Sequence, residues 1–285
     1  MARSSETRTQ CGFVEVGTAR LYQEAWGAPG APVLLCLHGL GGGTHFFGAV
    51  GAHLAGQRRT IAIDLPGSGL SPTLDTGGLA GFSFDAVADL LVMLARTEHA
   101  RAPAVCLLGH SMGAILALEM IRRSQELAAG LILVGGLPEA LPSARQRIRE
   151  RIGAIRRHGI AAVGTEAATA NFSRRSQRER PELTACFAKL FAGQDAAAYT
   201  DTASALAAWT ARELPPLERV SCLAVTGEED RYAPPDAVRA FARMLPARTR
   251  VEILDDCGHL PFLERPAAFA ALVAAFLHER CAWVD

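Results

Sequence analysis

The pentapeptide Gly109-His110-Ser111-Met112-Gly113 decides how this chain folds. An apolar run at residues 104–108 precedes it, and an alanine- and leucine-rich run at 114–121 follows it. This order predicts a buried strand that turns sharply into a helix, with Ser111 in a strained conformation at the apex. The flanking glycines leave room for the strand and helix to pass close together. The pentapeptide alone is also compatible with a glycine-rich corner that carries a solvated serine.

The rest of the chain alternates between strand-like and helix-like segments. Further strand-like runs lie at 13–16, 19–26, 32–37, 59–64, 131–134, 220–226 and 250–254. The continuous apolar runs among them suit strands that are buried on both faces of a parallel sheet. Between these runs, segments such as 84–97 repeat apolar residues at helical spacing. The alternation predicts an α/β fold with a mostly parallel, doubly wound sheet.

Residues 137–217 interrupt this alternation. They are rich in alanine, arginine and polar residues and contain no strand-like run. We interpret them as a helical cap or lid inserted after the sixth strand. The α/β core then comprises residues 1–136 and 218–285, with residues 1–10 as a flexible tail.

The composition excludes several classes of protein. The 285 residues include 29 Lys and Arg against 29 Asp and Glu, so no net charge favours nucleic acid or a membrane surface. No apolar run is long enough to span a membrane, and the N-terminus lacks the apolar core of a signal peptide. Seven cysteines without a Cys-x-x-Cys pair fit a reducing compartment. We therefore expect a cytoplasmic protein.

Three residues are candidates for nucleophilic catalysis. Ser111 becomes a nucleophile only when a base removes its proton. His259 is the candidate base, because it follows the last predicted strand and can reach over the carboxyl edge of the sheet. Asp230, after the preceding strand, is the candidate that orients the imidazole. Its neighbours Glu228 and Glu229 are alternatives, which we interpret as loop carboxylates that face water.

The tetrahedral intermediate of such a reaction needs N–H donors aimed at its oxyanion. The backbone N–H of Met112 is one candidate, since it follows the serine at the start of a helix. The N–H of Leu40 is the second, because the glycines around it let the loop approach a ligand closely. His38 is expected to brace this loop. The histidines lack metal-ligand spacing such as H-E-x-x-H, so we expect neither a metal nor a cofactor.

Five sequence blocks together resemble the α/β-hydrolase fold superfamily, in its cap-bearing esterase, enol-lactonase and C–C hydrolase branch. The blocks are His38-Gly39 with its glycine run, 64–71, 109–113, 227–230 and 258–266, and the resemblance covers about residues 12–280. The order of serine, acid and histidine is that of the superfamily. Ser111 argues against epoxide hydrolases and haloalkane dehalogenases, which carry Asp at this position. His110 is common in esterases and enol-lactone hydrolases, whereas meta-cleavage-product hydrolases often have Asn there.

The arginines of the insertion allow two interpretations. Between Ser143 and Gly159 the chain has one acid, Glu150, and six arginines, at positions 145, 147, 149, 151, 156 and 157. An amphipathic helix with a solvated basic face is the simpler interpretation. Alternatively, one of these arginines, or Arg174 or Arg175, turns inward and binds a carboxylate of the substrate.

The leading functional hypothesis is hydrolysis of a small carboxylic ester or lactone through an acyl-enzyme. The candidate substrate-binding residues are His110, Phe172 and Trp209. Alternatives with the same triad are C–C bond hydrolysis of a vinylogous diketone, perhydrolysis and acyl transfer. A non-catalytic small-molecule receptor is a further alternative, and the sequence does not indicate an oligomeric state.

Overall fold

Eight strands form a single sheet at the centre of the protein. The computed structural model describes residues 9–74, 82–102 and 105–280. The strands are β1 (Gln10–Val16), β2 (Ala19–Trp26), β3 (Val33–Leu37), β4 (Arg59–Ile63), β5 (Val105–His110), β6 (Ala128–Val134), β7 (Ser221–Gly227) and β8 (Arg250–Leu254). Across the sheet they follow the order β1-β2-β4-β3-β5-β6-β7-β8.

The sheet is antiparallel at one edge and parallel elsewhere. Strands β1 and β2 form a hairpin, and β2 pairs antiparallel with β4. All the remaining pairs, from β4 to β8, are parallel. Every residue of β3, β4 and β5 is buried, because both faces of a parallel sheet are covered. This arrangement confirms the predicted α/β fold with a mostly parallel sheet.

Helices cover the sheet. They are α1 (Gly48–Leu54), α2 (Phe84–His99), α3 (Met112–Arg123), α4 (Pro142–His158), α5 (Gly164–Asn171), α6 (Arg174–Glu179), α7 (Pro181–Ala192), α8 (Ala196–Ala208), α9 (Pro235–Ala242), α10 (Pro261–Glu264) and α11 (Pro266–Arg280). Helix α2 begins where the side chain of Ser83 accepts a hydrogen bond from the Ala86 amide. Helix α1 packs against α11, and α2 packs against α3.

Five of these helices, α4 to α8, lie between β6 and β7. Helix α4 packs against α8, and α5 packs against α7. The apolar stripe of α4, formed by Ile148, Ile152 and Ile155, is buried, whereas most of its arginines are exposed. The segment therefore has an apolar interior of its own, which continues into the core beneath it.

The N-terminal prediction requires a correction. Gln10, which we expected in a flexible tail, is the first residue of β1 and pairs with Ala25. Backbone pairing extends the hairpin beyond its apolar residues, because ladder hydrogen bonds need no apolar side chain. Residues 1–8 of the predicted tail, and Ala104 of the strand predicted at 104–108, lie outside the described residues.

No helix within the described ranges is both long enough and apolar enough to cross a membrane.

Candidate active site

Ser111 lies on a sharp turn between β5 and α3. Its φ of 52° and ψ of −115° are unusual for a residue with a side chain, and such strain costs about 1–3 kcal/mol. A Cβ on Gly109 would collide with the carbonyl of Gly113, and a Cβ on Gly113 would collide with the carbonyl of Leu37. Both glycines are therefore needed for the strand and helix to pass, and the turn places Ser111 at the carboxyl end of the sheet.

Asp230 and His259 form a buried pair at the same end of the sheet. Nδ1 of His259 lies 2.7 Å from Oδ2 of Asp230, and the two side chains are 4% and 0% exposed. The other carboxylate oxygen of Asp230 accepts hydrogen bonds from the amides of Tyr232 and Ala233, at 2.8 and 2.9 Å. A carboxylate fixed in this way favours the tautomer with hydrogen on Nδ1, which leaves Nε2 able to accept a proton.

The alternative carboxylates have other partners. Glu228 accepts a hydrogen bond from the amide of Asp256, and Glu229 accepts one from the amide of Arg174. Neither lines the cavity beside Ser111. The geometry thus brings Asp230, and not its two neighbours, to His259.

The main chain of His259 is fixed on both sides. Its amide donates to the carbonyl oxygen of Asn171 at 2.7 Å. Its carbonyl oxygen accepts a hydrogen bond from Nε2 of His110 at 3.0 Å. Burial, together with the nearby His259, holds the pKa of His110 well below its usual value, so this ring is neutral and carries its hydrogen on Nε2. His110 therefore connects the turn at Ser111 to the loop that carries His259, which we call the histidine loop.

A buried carboxylate joins the histidine loop to the inserted helices. Glu264 is 4% exposed and accepts hydrogen bonds from the amides of Gly258 at 2.7 Å and Ser173 at 2.8 Å. A Cβ on Gly258 would collide with the carbonyl oxygen of Asn171. The backbone of residues 171–173 thus lies directly against the loop that carries His259.

The loop after β3 also reaches Ser111. A Cβ on Gly39 would lie 2.9 Å from the Cβ of Ser111, so only a glycine fits at position 39. Nε2 of His38 accepts a hydrogen bond from the Leu65 amide at 2.9 Å, and its Nδ1 lies 2.8 Å from the carbonyl oxygen of Gly39. Burial lowers the pKa of His38 to about 4, so the ring is neutral and braces the loop.

The two candidate oxyanion donors lie where the loop after β3 meets the turn at Ser111. Leu40 follows Gly39 in the loop after β3, and Met112 is the first residue of α3. The amide of Met112 has no acceptor within its helix, as is general for the first turn. Both residues line the cavity that Ser111 lines.

One cavity brings these residues together. Its wall on the sheet side includes Leu40, His110, Ser111, Met112 and His259. The inserted helices contribute a second wall, formed by Ala144, Ile148, Arg151, Asn171, Phe187 and Leu206. The cavity combines apolar side chains with polar groups such as Ser111, Arg151 and Tyr232, as is usual for a site that binds a small molecule.

Two of the three candidate substrate-binding residues lie elsewhere. Phe172 is buried and packs edge-on against Phe187, with ring centroids 5.4 Å apart. Trp209 donates from its indole nitrogen to the carbonyl oxygen of Pro138, and its ring lies 4.6 Å from that of Phe84. Neither lines the cavity, whereas His110 does.

Sequence reasoning did not identify several lining residues. Phe46, Ile115, Phe187, Leu206 and Tyr232 all line the cavity. Only Tyr232 had a usable signal, since it follows Asp230 by two residues. Within the described part of the chain, no group of three or more His, Cys, Asp or Glu side chains is arranged to hold a metal.

The sequence matches one protein family and resembles a known hydrolase. A sequence profile of the alpha/beta hydrolase family matches residues 34–272. A 3-hydroxybutyrate-oligomer hydrolase from Cupriavidus necator is 30% identical over 195 residues, which are 65% of this chain and 64% of that protein. The chain therefore aligns with slightly less than two thirds of that relative's length.

Two solved structures share the fold. The enol-lactonase from Burkholderia xenovorans LB400 superposes with a TM-score of 0.81 at 22% identity, covering 94% of this chain and 100% of that one. An esterase from Thermogutta terrifontis superposes with a TM-score of 0.80 at 24% identity, covering 96% of this chain and 100% of that one.

Proposed function

Because the chain belongs to the α/β hydrolase family, we propose that it is a serine hydrolase that cleaves a small carboxylic ester or lactone through an acyl-enzyme. The observation that carries this proposal is that Ser111, on its strained turn, and His259, paired with the buried Asp230, line the same cavity. Nucleophile, base and orienting acid are thus available in one place.

The proposed reaction has two halves. Oγ of Ser111 attacks the carbonyl carbon of the substrate while Nε2 of His259 takes the hydroxyl proton. The C–O bond of the substrate then breaks as His259 gives that proton to the leaving oxygen, and the acyl group stays on Ser111; the hydroxyl formed from a lactone remains part of the acyl chain. A water molecule attacks the acyl-enzyme with His259 again as the base. The ester bond to Ser111 then breaks, His259 returns the proton to Oγ, and the carboxylic acid is released.

Fixed polar groups would stabilise the charges that develop. Asp230 would stabilise the imidazolium of His259 through the 2.7 Å contact at Nδ1. The amides of Leu40 and Met112 would donate to the oxyanion, and removal of one such donor typically costs roughly 2.7–4 kcal/mol. The backbone positions these donors before the substrate arrives, so little reorganisation accompanies the reaction.

We further propose that the inserted helices act as a cap over this site. Support comes from Ile148, Phe187 and Leu206, which line the same cavity as Ser111. Apolar side chains of this kind exclude water and accommodate the part of the substrate that does not react.

Labelling with a fluorophosphonate tests the proposal, because the reagent reacts with an activated serine. We expect covalent labelling at Ser111 and turnover of 4-nitrophenyl acetate by the wild type. Ser111→Ala should lose labelling and lower kcat by roughly 10⁴- to 10⁶-fold.

Ser143→Ala is the matched control, because Ser143 is an exposed serine at the start of α4. It should label and turn over substrate like the wild type. Turnover by Ser111→Ala at the wild-type rate would refute the proposal, as would labelling of another serine with Ser111 unmodified. A panel of esters, lactones and vinylogous diketones would then identify the bond that is cleaved.

A further inference from the structure

One arginine of the insertion faces the cavity. Between residues 143 and 159, all described in the structure, Arg151 is the only buried arginine. Arg145 pairs with Glu139 at 2.7 Å, and Arg175 is exposed and pairs with Glu179 and Asp256. Arg151 is 7% exposed and lines the same cavity as Ser111. A cation this well buried requires nearby partners.

The charge of Arg151 is only partly balanced within the cavity. Its Nε and Nη2 donate to the carboxylate of Glu166 at 2.9 and 3.1 Å. The side chain of Glu166 is 56% exposed, whereas that of Arg151 is 6% exposed. Water screens the carboxylate more strongly than it screens the guanidinium, so the cavity retains a positive potential at Arg151.

Tyr232 extends this positive region toward His259. Its hydroxyl accepts a hydrogen bond from Nη2 of Arg151 at 2.9 Å. Its ring lies 4.9 Å from the ring of His259, and both residues line the cavity. A hydroxyl that accepts from a cation becomes a stronger donor through its own hydrogen. Among the described residues, none accepts a hydrogen bond from this hydroxyl.

The other ionisable groups on the cavity wall do not compete for an anion. Glu139 also lines the cavity, but it pairs with Arg145 and its side chain is 42% exposed. His110 is neutral, as described above. The donors that can bind an anion beside His259 include the Tyr232 hydroxyl and the guanidinium behind it.

We propose that Tyr232 and Arg151 form a subsite that binds a carboxylate of the substrate, in addition to the ester or lactone that reacts. This inference rests on the proposed hydrolase function and specifies its substrate class as esters or lactones of dicarboxylic or hydroxy-dicarboxylic acids. The carboxylate lies on the His259 side of the cavity, bound by the Tyr232 hydroxyl and stabilised by the positive charge of Arg151.

A binding experiment tests the subsite independently of turnover. Monomethyl succinate and dimethyl succinate differ only in one carboxylate, and calorimetry can measure their affinities for Ser111→Ala. We expect the monoester to bind about 10- to 100-fold more tightly, as a charged hydrogen bond would provide. In Ser111→Ala with either Arg151→Met or Tyr232→Phe, this advantage should largely disappear.

Two further comparisons exclude a purely structural explanation. Tyr232→Phe removes only a hydroxyl, and thermal melts would verify that both variants fold. Glu166→Gln removes the competing carboxylate, so the advantage of the monoester should increase. An unchanged advantage in Arg151→Met and Tyr232→Phe would overturn the proposal. So would a Glu166→Gln variant that loses the advantage as Arg151→Met does, since the ion pair alone would then matter.

The same samples separate this proposal from the function on which it rests. Failure of the wild type to hydrolyse any ester, with the monoester still bound preferentially, would refute the hydrolase and retain the carboxylate site. Hydrolysis of both esters with no preference in binding would refute the carboxylate site alone.

Discussion

The two walls of the cavity differ in how their residues are positioned. On the sheet side, Ser111 lies on a turn that only its flanking glycines permit, and Asp230 accepts two backbone amides. On the insertion side, Ile148 and Leu206 reach the cavity through apolar side chains on helices. Backbone geometry fixes the first wall, and side-chain size and shape define the second.

This difference indicates which properties can change independently. A substitution on the sheet side alters groups that we propose to touch the reacting atoms, so it should affect every substrate alike. A substitution on the insertion side alters the volume and polarity of the wall, so it should change the ranking of substrates.

The largest effect is expected for Asp230→Asn on the sheet side. The amide has nearly the same size, but its NH₂ group cannot accept the hydrogen of His259 Nδ1, so the ring favours the wrong tautomer. We expect kcat to fall about 10⁴-fold, by the same factor for short and long acyl esters. Steady-state kinetics with 4-nitrophenyl esters measures this.

The neighbouring carboxylates provide matched controls for Asp230. Glu228→Gln and Glu229→Gln make the same chemical change, and each should retain kcat within about threefold because neither lines the cavity. A loss in Glu229→Gln equal to that in Asp230→Asn would contradict the assignment.

The junction between the two walls should respond less strongly. The two carboxylate oxygens of Glu264 each accept one amide, that of Gly258 or that of Ser173. Glu264→Gln keeps the acceptor for one of these amides and places an NH₂ group against the other. We expect the free energy of unfolding to fall by about 1–3 kcal/mol. Because Gly258 adjoins His259, we also expect kcat to fall roughly tenfold with KM little changed, as for a positioning residue.

Steady-state kinetics measures the change in kcat, and thermal denaturation in the same buffer measures the change in stability. Glu182→Gln, at an exposed site on α7, should match the wild type in both measurements. If Glu264→Gln lost stability but kept the wild-type kcat, Glu264 would serve the fold and not the position of His259.

The smallest change in rate is expected on the insertion side. Ile148 and Ile155 are both 4% exposed on α4, but only Ile148 lines the cavity. Conversion of either to Ala should destabilise the protein by about 2–5 kcal/mol. Only Ile148→Ala should shift kcat/KM toward longer acyl chains, by about fourfold, which corresponds to one newly buried methylene.

The acetate, butyrate and hexanoate esters of 4-nitrophenol would measure this shift. Ile155→Ala should leave the ranking of the three esters as in the wild type. An equal shift in both variants would show that the whole of α4 moves, and that local volume does not set the preference.

The sheet side was largely predictable from the sequence because its residues follow strands directly. Ser111, Asp230 and His259 each lie within a few residues of a strand end, and parallel strands end at the same edge of the sheet. The parallel direction of the strands thus predicts that all three residues lie at one edge of the sheet. Leu40 and Met112, the proposed oxyanion donors, also follow strand ends, so their position at this edge was predictable in the same way.

The insertion side was not predictable in the same way. The aromatic side chains of Phe172 and Trp209 predict burial but not which residues are their neighbours. The inward position of Arg151 depends on Tyr232 and Glu166, which lie 81 and 15 residues away in sequence. Glu264 lies in a recognised sequence block, yet its partner Ser173 is 91 residues away.

The contact between residues 171–173 and the histidine loop has a consequence for engineering. Replacement of the entire insertion with one from a relative is an obvious route to a new substrate range. Here such a graft would also remove the carbonyl of Asn171 that the His259 amide requires. A chimera that retains residues 171–173, and exchanges only the helices before and after them, would change the wall that we propose selects the substrate while keeping His259, the proposed base, in place.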